Sequence, residues 1–93
     1  MTTGGFLYML KSHSDSSFYF GSTSDINRRL AQHNNGESSS TRTKRPWVLV
    51  FVMKFDQVAQ ARKIEQTLKA QKQKITPPRL LLAIADYLRR AEE

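Results

Sequence analysis

The segment that decides the fold spans residues 6–35 and reads FLYMLKSHSDSSFYFGSTSDINRRLAQHNN. It opens with the apolar run Phe6–Leu10, which predicts a buried strand. Residues 12–17 are rich in Ser and Asp and have the composition of a turn, and the aromatic run Phe18–Phe20 predicts a second strand that ends at Gly21. Two strands joined by so short a turn form an antiparallel hairpin.

A short helix is predicted directly after the hairpin. Ser24 and Asp25 both offer an N-cap for a helix from Ile26 to about His33. Ile26 and Leu30 lie one turn apart and give this helix its buried stripe. The residues 34–36, Asn-Asn-Gly, end it.

The rest of the chain predicts one more strand and two more helices. The strand is Trp47–Phe55, and its near-continuous apolar character predicts a central strand covered on both faces. Asp56 offers a cap for a longer helix that runs to about Lys74. A proline pair then breaks the chain before a third amphipathic helix at about 79–91. The buried face of that helix is predicted to hold Leu80, Ile84, Tyr87 and Leu88.

The element order β-β-α-β-α-α predicts an α/β protein of the α+β type, with a small three-stranded antiparallel sheet flanked by helices. The length of 93 residues predicts a single domain over residues 1–93. The absence of cysteine excludes a disulfide scaffold and a thiolate zinc site. Neither a secretory signal nor an apolar run of membrane-spanning length is visible, so a cytoplasmic protein with no membrane contact is expected.

Charge is the strongest compositional feature. Fifteen Lys and Arg stand against eight Asp and Glu, which gives a net charge of +7. Phosphate neutralisation by such side chains dominates protein affinity for nucleic acid, so a polyanionic partner is indicated. Net charge kept for solubility and an anionic membrane surface are the alternative interpretations.

One carboxylate breaks the pattern of the second helix. The residues close to one face of that helix are Val58, Ala61, Ile64, Glu65, Leu68 and Lys72. Glu65 stands among apolar neighbours, and a buried carboxylate usually has a cation, a metal ion or strong hydrogen-bond donors beside it. An ordinary ion pair with Lys69, four residues on, is the alternative interpretation.

Arg29 and His33 are a second set of candidate functional residues. A spacing of four residues places one above the other on the short helix. The Arg29 guanidinium is suited to bidentate contact with a phosphate, and His33 to sharing that phosphate or transferring a proton. The alternative is a solvated helix face, with Arg28 and Arg29 exposed and His33 as a hydrogen-bonding residue at the helix end.

The remaining candidate functional residues are two tyrosines and the cations of a basic loop. Tyr8 and Tyr19 lie near the middle of the predicted strand pair, where they are either core residues or a pair of phenols that binds or activates water. Residues 41–46 read TRTKRP, either a flexible solvated loop or one that contacts a nucleic-acid backbone. The candidate nucleic-acid-binding residues are Arg28, Arg42, Lys44 and Arg45.

Together these pieces resemble the GIY-YIG nuclease family over residues 6–74, a motif core that the helix at about 79–91 follows. Each motif alone is weak, and their order and spacing carry the resemblance. The matching segments are Phe6-Leu7-Tyr8, Tyr19-Phe20-Gly21, residues 22–30, His33-Asn34, Arg45-Pro46-Trp47 and residues 61–69.

The resemblance implies cleavage of DNA with one divalent metal ion, Mg²⁺ or Mn²⁺, as in homing endonucleases, restriction enzymes and a DNA-repair incision subunit. It also implies roles by position. Tyr8 and Tyr19 would be the motif tyrosines, with Tyr19 helping to deprotonate the attacking water. Arg29 would hold the scissile phosphate with His33 nearby, and Glu65 would bind the metal.

The chain departs from the family pattern in two places. Phe6 replaces the glycine of the first motif. No asparagine follows the Glu65 helix, since none occurs beyond Asn35, and Thr76 or Gln73 are the candidate substitutes.

Three functional hypotheses follow. The first is a metal-dependent endonuclease with low or structure-based specificity, acting on branched or single-stranded DNA, with targeting from a protein partner. The second is a nucleic-acid-binding module of the same fold that lacks useful turnover. The third is a protein-interaction adaptor that presents the apolar stripe of the last helix.

Overall fold

The computed structural model describes residues 4–71 and 74–91. Its elements follow the order β-β-α-β-α-α, with one 3₁₀ turn before the third strand, and the predicted α+β class is confirmed. The elements are β1 (Gly5–Ser12), β2 (Phe18–Thr23), α1 (Ile26–Asn34), the 3₁₀ turn (Arg42–Lys44), β3 (Trp47–Phe55), α2 (Val58–Ala70) and α3 (Pro77–Ala91).

The strands form one antiparallel sheet in the order β2-β1-β3, so β1 is the central strand. The prediction that Trp47–Phe55 is the central strand is wrong. Because the hairpin places β2 on one edge of β1, β3 takes the other edge and stays an edge strand itself. Val48, Val50 and Val52 are accordingly 49%, 46% and 43% exposed.

Both faces of β1 are buried, and they belong to two different cores. Leu7 and Met9 face the larger core, which α2 and α3 cover. Tyr8 and Leu10 point to the opposite face, where they pack with Trp47 under α1. The alternation of side chains along β1 therefore places the Tyr8 phenol beneath the short helix.

The start of α2 differs from the prediction. Asp56 is not its N-cap, because Gln57 has the extended backbone of a cap residue (φ −133°, ψ 141°) and forms a reciprocal capping box with Gln60. The Gln57 side chain accepts from the Gln60 backbone, and the Gln57 N–H donates to the Gln60 side chain at 3.0 Å. α2 thus begins at Val58, which lies directly against Gly5 of β1.

The end of α2 and the limits of α3 also differ. α2 ends at Ala70 rather than about Lys74, because Gln71 already has extended backbone (φ −80°, ψ 132°). The predicted face residue Lys72 lies outside the described residues. α3 begins at Pro77, two residues before the predicted start, since prolines fit the first turn, where no N–H is needed.

The predicted stripe of α3 is only partly correct. Leu80 and Ile84 are buried in the larger core, and the Tyr87 ring meets the Phe55 ring edge-on at 6.3 Å. Leu88 is 40% exposed, so its predicted burial is wrong. Among the described residues, no helix combines the length and apolar character that a membrane crossing requires.

Candidate active site

A buried hydrogen-bonded chain runs beneath α1. His33, on the last turn of the helix, has no exposed surface. Its Nε2 lies 3.0 Å from the Tyr8 hydroxyl, and its Nδ1 lies 2.8 Å from Thr41 Oγ1. Thr41 is held in turn by Trp47, whose indole N–H donates to the Thr41 carbonyl at 2.8 Å. The imidazole of His33 therefore connects β1, α1 and the loop that precedes the 3₁₀ turn.

The direction of this chain follows from Arg29, which can only donate. Arg29 Nε donates to the Tyr8 oxygen at 3.3 Å. We therefore assign the Tyr8 hydroxyl as the donor to His33 Nε2. The imidazole proton then lies on Nδ1, which donates to Thr41 Oγ1. Each donor in this hydrogen-bond network then faces an acceptor, and the imidazole is neutral.

The neutral state of His33 agrees with its surroundings. Burial, together with the nearby Arg29 cation, lowers the pKa of His33 to about 4. The sequence interpretation of His33 as a hydrogen-bonding residue at the helix end describes its observed contacts, but not its complete burial.

The lowered pKa of His33 predicts acid destabilisation. The unfolded chain takes up this proton near pH 6.5, whereas the folded chain does so only near pH 4, so the stabilising contribution is present above pH 6.5 and is lost as the pH falls through that window. Its slope is up to about 1.4 kcal/mol per pH unit. Denaturant unfolding should show a shallower pH dependence for His33→Gln than for wild type. Equal slopes in the two proteins would contradict the assignment.

Tyr8 is a buried phenol that stays protonated at neutral pH. Burial raises the pKa of Tyr8 to about 12, against the lowering effect of the hydrogen bond from Arg29. Tyr8 pairs with Gly21 across the hairpin, so both residues face α1. A Cβ added to Gly21 would lie 2.7 Å from the Tyr8 hydroxyl oxygen. The glycine of the Tyr19-Phe20-Gly21 motif therefore makes room for the Tyr8 phenol.

Replacing Gly21 with Ala is expected to destabilise the fold by about 1–3 kcal/mol, the usual cost of overpacking. The Tyr8 ring cannot move aside freely, since His33 and Arg29 hold its hydroxyl. Denaturant unfolding of a double-mutant cycle with Tyr8→Phe provides the control. The Gly21→Ala penalty should shrink in the Tyr8→Phe background, and an unchanged penalty would show that the clash lies elsewhere.

Arg29 is fixed from two sides at the edge of the site. Besides its bond to Tyr8, its Nη1 donates to the Gln32 side chain at 3.2 Å. The hydrogen bond to Tyr8 raises the pKa of Arg29, with a further electrostatic contribution from Tyr19. The guanidinium is therefore a positioned cation rather than a freely moving surface group.

Glu65 is half-buried on α2 and has partners on both sides. Its Oε1 accepts from the Ser22 hydroxyl, and its Oε2 lies 2.6 Å from Lys69 Nζ. The ion pair with Lys69, one of the two interpretations of the sequence, is thus present. It explains how a carboxylate stands beside the core, and the hydrogen bond to Glu65 raises the pKa of Lys69.

Tyr19 lies between these groups. Its ring meets the His33 ring edge-on, with centroids 5.0 Å apart, and Lys69 Nζ lies 6.0 Å from its centre. It is half-buried, whereas Tyr8 is 1% exposed. The five candidate catalytic and metal-binding residues therefore occupy one region, with Tyr8 and His33 in its interior and the others nearer solvent.

A cleft of about 260 Å³ opens beside Arg29. Its walls come from the end of β2 and the residues that follow it, from α1 and from α2, and they include Ser22, Arg28, Arg29 and Arg62. Asp25 caps α1 at the same cleft and accepts from the Arg28 backbone N–H at 3.1 Å, which confirms the predicted cap.

The three cations of the basic loop lie elsewhere, near the 3₁₀ turn. Arg42 Nε donates to the Gly36 carbonyl at 3.0 Å, and Arg45 Nε donates to the Arg42 carbonyl at 2.7 Å. Lys44 lies 3.7 Å from an Asp15 carboxylate oxygen. All three side chains are exposed, but none of them lines the cleft.

Comparison with known proteins assigns the chain to a family. The sequence model of the GIY-YIG catalytic domain matches residues 4–77. The chain belongs to the GIY-YIG family. It is similar to the UPF0213 protein of Listeria welshimeri, with 40% identity over 65 residues, 69% of this chain and 71% of the relative. It is also similar to a UPF0213 protein of Streptococcus pneumoniae, with 37% identity over 68 residues, 72% of this chain and 68% of the relative.

No solved structure matches this GIY-YIG chain. The family match confirms the resemblance carried by the two tyrosine motifs and places the chain in a nuclease family. α3 begins at the last residue of the matched segment, so nearly all of this helix lies beyond it.

The donor set of this GIY-YIG site fits a hard divalent cation. The described residues contain no group of three or more His, Cys, Asp or Glu side chains that could enclose a metal ion, and Glu65 is the carboxylate beside the motif tyrosines. Mg²⁺ commonly binds through one or two carboxylates plus substrate phosphates, keeping several waters. A cation at Glu65 would take the place of the Lys69 ammonium, whose side chain is 50% exposed.

Several contacts of this GIY-YIG site are absent from the sequence predictions. The sequence predicts no role for Thr41 beyond the start of the basic loop, and none for Gln32 or Arg62. Amphipathic spacing gives no signal for a buried threonine in a loop. Arg62, by contrast, lies three residues before Glu65, a spacing that places both on neighbouring positions of one helix face. As for the proposed substitutes for the family asparagine, Gln73 lies outside the described residues and Thr76 is half-buried.

Proposed function

We propose that this domain is a metal-dependent endonuclease that hydrolyses DNA phosphodiester bonds. One observation supports it most strongly: the fixed guanidinium of Arg29 lines the same cleft as Ser22, whose hydroxyl donates to the carboxylate of Glu65. A phosphate in the cleft would meet a positioned cation on α1, and the proposed ligand for a divalent ion on α2 lies next to it, in contact with the cleft residue Ser22. Phosphodiester hydrolysis needs both, because negative charge increases at the phosphorus centre as water attacks.

Arg29 is the residue that holds the scissile phosphate in this proposal. Its Nε and Nη1 are directed by Tyr8 and Gln32, so its geometry is set before the substrate arrives. Such preorganised donors stabilise the transition state without reorganisation during the reaction. Tyr8 and His33 act as positioning residues, since both are buried and the Tyr8 oxygen accepts from Arg29.

Tyr19 is the phenol that we assign to the attacking water. Tyr8 is committed to His33 and Arg29 and stays protonated, whereas Tyr19 is half-buried on the open side of the network. Lys69 Nζ lies 6.0 Å from the centre of the Tyr19 ring, so a cation stands beside this phenol. The attacking water gives its proton to this oxygen as the phenolic proton passes to solvent. The water oxygen bonds to phosphorus as the opposite P–O ester bond breaks, and the leaving oxygen takes a proton from solvent water.

Glu65 is the residue that would hold the divalent ion, Mg²⁺ or Mn²⁺. When bound, the ion supplies Lewis acidity toward the phosphate and the attacking water. The Ser22 hydroxyl orients one carboxylate oxygen, which leaves the oxygen now paired with Lys69 for the ion. A single ion is proposed, held by the Glu65 carboxylate.

The exposed basic side chains give this site its contacts to the rest of the nucleic acid. Arg28 borders the cleft, and the exposed loop cations Arg42, Lys44 and Arg45 are proposed to contact backbone phosphates away from the cut. Such contacts position a strand without reading its sequence. Low or structure-based specificity is therefore proposed, with sequence targeting left to a protein partner. A cytoplasmic location and a role in DNA repair stay predictions of the sequence.

A substrate panel tests the proposal. End-labelled duplex, single-stranded and branched DNA of one sequence should be incubated with Mg²⁺, Mn²⁺ or EDTA. Cleavage in the two metals but not in EDTA is expected, with faster cleavage of branched or single-stranded DNA. Equal rates on all three substrates would remove structure selectivity and leave the hydrolytic proposal intact.

The second candidate is a nucleic-acid-binding module of the same fold. The pairing of Lys69 with Glu65 and the missing asparagine favour it, because both weaken metal binding. Steeply salt-dependent DNA binding without any metal-dependent product would establish it in place of the nuclease.

A further inference from the structure

The cleft beside Arg29 is lined by two further arginines, Arg62 of α2 and Arg28 of α1. The hydroxyl-bearing residues Ser22, Thr23 and Ser24 line it as well. Arg62 and Glu65 are three residues apart on α2, so the second arginine stands one helical turn from the proposed metal ligand.

Neither outer guanidinium is used by the fold. Within residues 4–71 and 74–91, the Arg62 and Arg28 side chains make no hydrogen bond or ion pair, and both residues are exposed. Arg29, by comparison, is held by Tyr8 and Gln32. The cleft thus has one fixed cation and two that are available to a ligand.

The excess of positive charge in the cleft indicates that its ligand is an anion. Three arginines line it against the single carboxylate of Asp25, which is engaged in capping α1. Arginine presents planar donors that match phosphate oxygens, and hydroxyl groups add neutral donors. A volume of about 260 Å³ exceeds what one phosphate fills, so the cleft has room for more than the group that Arg29 holds.

We propose that Arg62 and Arg28 form a second phosphate subsite, which binds the phosphate next to the scissile one on the same DNA strand. This inference rests on the proposed function, because it takes the scissile phosphate to lie at Arg29. Its consequence is a substrate requirement: the strand must carry a charged phosphate on one particular side of the cut.

Binding in EDTA tests the subsite without any turnover. Arg62→Gln should weaken affinity for an oligonucleotide about tenfold at low salt and reduce the slope of log affinity against log salt by about 0.7 on a single strand. Lys63→Gln is the matched control, since it removes one charge from the adjacent residue, which borders the groove between α2 and α3 instead. It should change affinity by less than about twofold.

A neutral methylphosphonate, placed in turn at each position of the strand, tests the geometry. At one position it should weaken wild-type binding about as much as Arg62→Gln does, and it should have no further effect on that variant. In cleavage assays, Arg62→Gln should raise KM about tenfold and leave kcat within about twofold, the pattern of lost ground-state binding.

The binding and cleavage results test the second phosphate subsite and the proposed hydrolysis independently. An Arg62→Gln protein that matches Lys63→Gln in affinity, salt slope and KM would overturn the subsite, even if wild type cleaves DNA. A wild type that never cleaves, yet loses affinity and salt slope specifically with Arg62→Gln, would support the subsite and overturn the hydrolytic function.

Discussion

Replacing Glu65 with Gln is expected to lower metal-dependent DNA cleavage about a thousandfold, the upper range for loss of one preorganised electrostatic group. The amide keeps the size of the carboxylate and can still accept from Ser22, but it loses the charge that a divalent ion needs. Mn²⁺ affinity, measured by calorimetry or by paramagnetic relaxation of water protons, should fall in parallel. Single-turnover cleavage rates give the catalytic effect.

The fold should survive the Glu65→Gln substitution. The carboxylate is half-buried, and its partner Lys69 is 50% exposed, so the pair contributes at most about 1 kcal/mol to stability. Glu37→Gln makes the same chemical change at an exposed residue in the loop after α1, and it should cleave at the wild-type rate. A Glu65→Gln protein that binds Mn²⁺ and cleaves like Glu37→Gln would remove Glu65 from the site.

Replacing Arg29 with Lys is expected to reduce kcat by about 10²–10³-fold, although the positive charge is kept. Lysine lacks the Nε that donates to Tyr8 and the forked geometry that also reaches Gln32, so its ammonium is neither oriented nor bidentate. KM should change much less than kcat, because the lost interaction is strongest in the transition state.

Arg28→Lys is the matched control for Arg29→Lys. It alters the adjacent residue of the same helix, whose exposed guanidinium is assigned to the neighbouring phosphate, so KM is expected to rise up to about tenfold while kcat stays within about twofold of wild type. Equal losses in the two variants would indicate that Arg29 acts through general charge in the cleft and that its positioning by Tyr8 is irrelevant to catalysis.

Much of the fold is local, and that part is predictable from the sequence. The β1–β2 hairpin and the Asp25 cap of α1 depend on residues close together in the chain, and both are confirmed. The position of β3 depends instead on which edge of β1 remains free. An apolar run such as Trp47–Phe55 reveals that a strand forms, but not how many neighbours cover it, and so its central placement was predicted wrongly.

The candidate site likewise contains residues whose placement follows from local sequence and residues whose placement depends on distant parts of the chain. The spacing of Arg29 and His33 places both on one face of α1, and the helical position of Glu65 predicts a carboxylate beside the core. The role of Gly21 is invisible in the sequence, because it follows from the strand register that sets it against Tyr8. Thr41 was missed for a similar reason, since a loop residue reaches His33 only after β3 anchors the loop.

Nicking of supercoiled plasmid tests the central claim most directly. Wild type, Glu65→Gln and Arg29→Lys, purified in parallel, should be compared in Mg²⁺, Mn²⁺ and EDTA. The account predicts open-circular product from wild type in the metals alone and almost none from either folded variant. Equal nicking by all three proteins, or wild-type nicking that persists in EDTA, would contradict it.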